Sequence, residues 1–165
     1  MFNLYHNYFG KDKPLRHYTQ HLIVAVFAFV LVVSIFDIEA TSANIINFFV
    51  FSFIADFDGL LAIFTTQRKK PEVREIKEAI KKLEFKKTAT LATTHHKIFD
   101  RLVLHNVIGL VFFIALFIVF ATREFVPGIM SIGAILGHFS FDIYDDLYQL
   151  GHIKNWLWPV RFMRK

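Results

Sequence analysis

Four long apolar runs limit the possible folds of this chain more than any other feature of its sequence. They cover about residues 21–38, 44–64, 102–121 and 128–148, and each is long enough to cross the hydrocarbon core of a bilayer as a helix. A helix satisfies its backbone hydrogen bonds internally, as a membrane-spanning segment must. With 55% hydrophobic residues over 165 positions, the sequence predicts an all-α fold: an integral membrane four-helix bundle that forms one domain over residues 1–165.

The distribution of lysine and arginine predicts the orientation of these spans. Basic residues are concentrated in the N-terminal segment, in the segment between spans two and three, and in the C-terminal tail, whereas the other two connections contain only Arg123. Because cytoplasmic loops are enriched in these residues, both termini are expected on the cytoplasmic side of the cell (inner) membrane. The net charge of +5 therefore indicates topology and anionic lipid headgroups as partners, and no nucleic acid is expected.

An amphipathic cytoplasmic helix is predicted between spans two and three, over about residues 71–85. Pro71 suits the first turn of a helix. The spacing of four apolar residues places them on one face, and the lysines lie elsewhere on the helix. We expect this helix to lie on the membrane surface with its lysines near lipid headgroups. The apolar residues are Val73, Ile76, Ile80 and Leu83.

Six ionisable side chains interrupt the apolar runs. In the predicted topology all six lie towards the cytoplasmic side of the bundle. Charged groups inside a bilayer are costly, so such residues normally face a cavity, a partner or a metal and mark a functional site. The six residues are His21, Asp56, Asp58, His105, His138 and Asp142.

The spacing of these residues predicts which of them act together. His138 and Asp142 are four residues apart and lie on one helix face. Asp56 and Asp58 point about 200° apart on a regular helix, so they reach one site only if the backbone unwinds, which Gly59 permits. The polar stripe of the last span continues through Asp145, Gln149 and His152, where a solvated helix face is the alternative interpretation.

Three imidazoles and three carboxylates are ligands that suit Zn²⁺, Mn²⁺ or Fe²⁺, and the set is large enough for one or two divalent ions. The chain has no cysteine, which excludes sulfur-rich zinc sites and iron–sulfur clusters. Asp58, His105 and Arg101 are the candidate catalytic residues, because a bound metal activates water and an arginine binds phosphate in bidentate fashion. Anchoring to lipid headgroups is the alternative role of Arg101.

The order of these motifs resembles the LexA-binding, inner-membrane-associated family of membrane-bound, metal-dependent hydrolases. Members carry a Thr-His in the first span, a Pro-Asp-x-Asp in the second, a His-Arg-Gly-x-Thr-His-Ser stretch, and a His-x-x-x-Asp followed by Gly and Trp-Pro. Ala55, Asp100 and Asn106 replace a proline, a histidine and a serine of these motifs, so the first ligand of the His-Arg motif is Asp100, His96 or absent. The similar positions are Thr19, Gln20, His21, Asp56, Asp58, Arg101, His105, His138, Asp142, Gly151, Trp158 and Pro159.

The resemblance implies a hydrolase, and a similar helical His-x-x-x-Asp in zinc phospholipase C type enzymes suggests a phosphoester substrate. Our first hypothesis is a metal-dependent hydrolase at the cytoplasmic membrane face that cleaves a phosphoester of a lipid or membrane-associated substrate. A divalent cation transporter or channel is the alternative. A bis-histidine haem protein is disfavoured because three aspartates would lie unpaired beside the haem. The substrate, the oligomeric state and a ligand role for His95 are left open.

Overall fold

The computed structural model describes residues 13–65, 67–95 and 102–157, and every regular element in those ranges is an α-helix. The prediction of an all-α fold is therefore confirmed. The helices of these ranges are, in chain order, α1 (Lys13–Phe36), α2 (Ser42–Ile54), α3 (Phe57–Phe64), α4 (Pro71–Lys81), α5 (Phe85–His95), α6 (Val107–Thr122) and α7 (Val126–Leu150).

Three segments of the described chain are long and apolar enough to cross a membrane. They are Tyr18–Phe36 within α1, Ser42–Phe64, which combines α2 and α3, and Val126–Leu150, which is α7. The predicted third span, 102–121, begins before the helix does: α6 covers Val107–Thr122 and has 16 residues. The reason is Asn106, whose side-chain oxygen accepts hydrogen bonds from the N–H groups of Ile108 and Gly109 and so starts the helix at Val107. A four-helix membrane bundle therefore remains a prediction.

Helix α7 is the centre of the fold, and α1, α2 and α6 each pack against it. One apolar cluster joins it to α1 and α2 around Phe48 and Met130. A second cluster joins it to α6 around Phe113 and Phe139. At Gly137 an added methyl group would collide with Ala28, so glycine permits the close approach of α1 and α7. His138 and Asp142 of α7 contact residues of the neighbouring elements.

The second predicted span is broken where its sequence predicts a break. Between α2 and α3, the N–H groups of Asp56, Asp58 and Gly59 each bond a carbonyl three residues back instead of four. Bonds of this kind tighten the helix locally and change the direction in which successive side chains point. On a regular helix, Asp56 and Asp58 would point about 200° apart. The break frees the two side chains from that arrangement.

The amphipathic segment between the second and third apolar runs folds into a hairpin of α4 and α5. The apolar face of α4 is buried inside the protein: Val73 and Ile76 pack with Ile63 of α3. Helix α5 packs in turn against α4 and α1. The predicted apolar face is correct at three of its four positions, but Leu83 lies beyond the end of α4 and is 70% exposed.

Candidate metal centre

The six ionisable residues predicted for the site come together in the structure from five parts of the chain. His21 lies in the first half of α1, Asp56 at the break and Asp58 in α3. His105 lies directly ahead of α6, His138 lies at the middle of α7, and Asp142 lies one turn further along α7. All six are linked by contacts of 3.7 Å or less, which join His21, Asp56, Asp58, His105, His138 and Asp142.

The tightest group consists of His105, His138 and Asp142. One oxygen of Asp142, Oδ2, lies 3.0 Å from Nε2 of His105 and 3.1 Å from Nε2 of His138. The spacing of His138 and Asp142 in α7 places both side chains on one helix face, as predicted. In this group one nitrogen or oxygen of each residue lies within 4.8 Å of the others.

A second group of potential ligands shares His138 with the first. It contains His21, Asp56 and His138, again with one donor atom of each within 4.8 Å of the others. Oδ1 of Asp56 lies 3.4 Å from Nε2 of His138, and the Nδ1 atoms of His21 and His138 are 3.3 Å apart. His21 also reaches Asp142, with 3.7 Å between Nε2 and Oδ1. The two groups therefore form one continuous cluster around His138.

Asp58 lies behind this cluster and holds His105 in place. It is 0% exposed, and its carboxylate accepts hydrogen bonds from the backbone N–H groups of Val103, Leu104 and His105 at 2.6–2.9 Å. Its Oδ2 also lies 3.1 Å from Nδ1 of His105. Imidazoles that bind metals commonly donate their second N–H to a carboxylate, which fixes the ring and its tautomer. His105 has that arrangement, with Nε2 directed towards Asp142.

The irregular segment 102–106 owes its shape to Asn106 at its end and to Gly109 in the first turn of α6. Asn106 is buried, and its side-chain amide donates to the carbonyls of Leu102 and Val103. At Gly109 an added methyl group would collide with the carbonyl of Leu104. These contacts fold the segment back on the start of α6, so that three consecutive N–H groups point at Asp58.

Burial and donor chemistry test whether the cluster suits a metal ion. His21, His105 and His138 are buried, whereas the side chains of Asp142 and Asp56 are 21% and 41% exposed. Within the described part of the chain, the buried Nε2 of His138 makes no hydrogen bond, although two carboxylates flank it. Imidazole nitrogens and carboxylate oxygens are the usual ligands of divalent transition metals. The cluster could therefore hold a metal ion, with its open side at Asp56.

Trp156 supports the site from outside, and the sequence offered little indication of its role. Its C-terminal position predicts an aromatic anchor at the membrane interface, but the structure buries it. Its indole N–H donates to Asp146 at 3.1 Å, its carbonyl accepts from Val107 at 2.8 Å, and its ring centroid lies 5.7 Å from that of His105. Asp146, like Trp156, was not among the predicted site residues.

The remaining polar candidates lie apart from the cluster or outside the described residues. Asp145 is buried, and Gln149, which is exposed, donates to it at 2.6 Å. Neither belongs to the two ligand groups found in the described chain. The predictions for Arg101, His96 and Asp100, and for the side chain of His95, fall outside the described residues.

No protein-family model, curated protein or solved structure matches this chain. The resemblance to the membrane-bound hydrolase family therefore depends on the short motifs alone.

Proposed function

We propose that this chain is a metal-dependent hydrolase that cleaves phosphoesters at the cytoplasmic face of the membrane. In this proposal α6 also spans the membrane, as the third of four spans in chain order, and both termini are cytoplasmic. The observation that carries the proposal is the pairing of His105 with Asp58 on one side and with Asp142 on the other. A carboxylate behind a ligating imidazole is the usual support of a metal site in a protein.

The shared position of His138 favours one metal ion over two. Both ligand groups require His138, and a neutral imidazole gives its lone pair to a single ion. We infer that His105, His138 and Asp142 hold the ion and that Asp56 completes the set at the open side. His21 then supports His138 through the nitrogen that faces it at 3.3 Å. Zn²⁺, Mn²⁺ and Fe²⁺ suit this ligand set.

In the proposed reaction a bound divalent ion supplies Lewis acidity and lowers the pKa of water. The other contributions come from the chain itself. Asp58 fixes the ring of His105 and thereby the direction of Nε2. The buried wall formed by Phe139 and Trp156 around His105 excludes bulk water from that side. Arg101, which directly precedes the irregular segment in sequence, is proposed to bind the phosphate.

The surroundings of the open side support a lipid-borne substrate. Asp56 is the most exposed member of the cluster, and the side chains that follow it on α3 are large, apolar and exposed, namely Phe57, Leu60 and Leu61. A substrate that reaches Asp56 along this surface passes over hydrocarbon-like side chains, which suit acyl or isoprenoid chains.

The apolar core on the other side of the cluster favours the hydrolase over the cation transporter. From His138 towards the start of α7, the buried side chains are apolar and include Ile135, Ile132 and Met130, and Phe48 of α2 packs against this part of the helix. A conduction path needs polar groups along its length. Residues 126–137 of α7 include no ionisable residue, and the polar contact found there, between Ser131 and Asn47 of α2, is uncharged.

Metal content and hydrolysis, measured on the same preparations, test the proposed function. The native protein should contain about one divalent ion per chain, by the ligand argument above, and should hydrolyse at least one of a panel of phospholipids, isoprenoid phosphates and soluble phosphodiesters in bilayers. His138→Ala should lose both properties because both ligand groups require this residue. Ser140→Ala, at an exposed position of α7, is the matched control and should keep them.

Two results would contradict this assignment. Full metal content in folded His138→Ala would mean that the metal lies elsewhere. Stoichiometric metal without hydrolysis of any substrate, combined with metal-ion flux into proteoliposomes, would favour the transporter.

A further inference from the structure

At the turn between α4 and α5, two large apolar side chains that are two residues apart in sequence are exposed. Leu83 is 70% exposed and Phe85 is 76% exposed, although both belong to a segment otherwise rich in charge. The apolar face of α4 is already buried against Ile63 and cannot account for them. Exposed apolar groups surrounded by polar ones often mark a surface that contacts a protein or a membrane.

The backbone of the turn makes Leu83 unusual. The N–H of Leu83 bonds the carbonyl of Ile80, and the N–H of Glu84 bonds that of Ala79, both at 3.0 Å. This is the Schellman arrangement that ends many helices, and its left-handed residue is usually glycine. Leu83 occupies that position with φ of 55°. A leucine there strains the backbone and buries little of its side chain, so it contributes less to the fold than glycine would.

Three other helix ends show the same left-handed conformation, and one of them has the usual glycine, Gly151 after α7 with φ of 69°. Asp37 after α1 has φ of 49°, and Glu124 after α6 has φ of 52°. Both are charged, and their side chains suit an exposed position. Among the left-handed residues of the described chain, Leu83 is the one with a large apolar side chain. This suggests that its side chain has a role outside the folded domain.

The surroundings of Leu83 and Phe85 are basic. Residues 77–87 contain five lysines and two glutamates. One of these glutamates, Glu84, already lies 3.3 Å from Lys87 in an ion pair. The net positive charge around two apolar side chains matches the surface of an anionic leaflet, where phosphates meet hydrocarbon. A protein partner of similar chemistry would need an acidic rim and an apolar pocket.

We propose that the tip of the α4–α5 hairpin, residues 82–87, inserts Leu83 and Phe85 into an anionic leaflet while the neighbouring lysines contact lipid phosphates. The hairpin is fixed to the bundle, because α5 packs against α1 and α4 packs against Ile63. Insertion of the tip therefore fixes the depth, relative to the leaflet surface, of the bundle end that carries the candidate metal cluster. This inference does not depend on the proposed hydrolase activity.

Spin labels on the full-length protein test the insertion directly, since the chain has no native cysteine. Phe85→Cys should carry a label that is accessible to oxygen and shielded from a water-soluble nickel chelate in nanodiscs containing phosphatidylglycerol. The shielding should decrease in nanodiscs of phosphatidylcholine alone. Glu78→Cys, at an exposed position of α4, is the matched control and should be accessible to the chelate in both.

Leu83→Gly separates a role in membrane insertion from a role in folding. Glycine suits the left-handed position, so the thermal unfolding temperature should not fall, while a label at residue 85 should become more accessible to the nickel chelate. In the otherwise native chain, equal chelate accessibility at residues 85 and 78 would overturn the proposal. Strong spin–spin coupling between labels at residue 85 would also overturn it, because a second copy of the chain would then cover the tip.

Discussion

Asp58 acts on the site through another side chain. The depth of this carboxylate in an apolar run was sufficient to predict that it belongs to the site, because a buried charge needs a partner. Its actual partners were not predictable: three of them are backbone N–H groups of residues 103–105, which have no sequence signature. With its oxygens directed at these groups and at His105, Asp58 fixes the position of His105, a candidate metal ligand.

Asp58→Asn should weaken metal binding by roughly 10- to 100-fold, the usual effect of removing a carboxylate behind a ligating histidine. The amide keeps the size of the side chain but places an N–H₂ group where the backbone donors and His105 now meet an oxygen. Metal affinity, measured by competition with a chelator, checks this prediction. Asp145→Asn changes another buried carboxylate, outside both ligand groups, and should leave the affinity unchanged.

The start of α6 shows which parts of an element depend on tertiary contacts. Hydropathy predicts an apolar helix here, and α6 has that character, but it cannot separate residues 102–106 from the helix that follows. The boundary depends on the cap formed by Asn106 and on the close approach at Gly109. The Asp56–Asp58 break was predictable because two aspartates and a glycine within an apolar run conflict with a regular buried helix.

Gly109→Ala should displace the segment that contains His105 and should destabilise the fold by about 1–3 kcal/mol, as overpacking of a tight contact does. The added methyl group meets a backbone carbonyl, which cannot move away as a flexible side chain would. Thermal unfolding and metal content should both decrease. Gly59→Ala is the matched control in α3: apart from the adjacent residues and the backbone of the same helix, no atom lies within 4 Å of the added methyl group, so stability should be unchanged or higher. Equal behaviour of the two variants would contradict the role assigned to Gly109.

The whole molecule brings distant parts of the sequence to one end of a helical bundle. The cluster residues come from the first half of α1, the break after α2 and the start of α3, the segment ahead of α6, and α7 from its middle onwards. The distribution of basic residues predicts a topology in which these positions lie at one level of the membrane. The structure brings the side chains together, and the topology remains a prediction. The contribution of Trp156 was not predictable, because a tryptophan near the end of an apolar chain is more often an interfacial anchor.

Single cysteines placed at Ser42 and at Glu78 should react with a membrane-impermeant thiol reagent from opposite sides of the membrane. Ser42 is exposed at the start of α2, and Glu78 is exposed on α4, which follows the second span. The native chain has no cysteine and serves as the blank. Labelling of both positions from one side would contradict the four-span topology and the cytoplasmic location of the metal cluster.

The contact between His21 and His138 joins residues that are 117 positions apart. During synthesis, the segments that contain His21, Asp56 and Asp58 leave the ribosome long before α7 does. Until α7 is present, these acids and imidazoles lack the neighbours that compensate their burial, so early stable insertion of the second span is costly. A nascent chain that stops before residue 138 should therefore be retained at the translocation machinery or degraded. Stable membrane insertion of the earlier helices would then depend on synthesis of the last one.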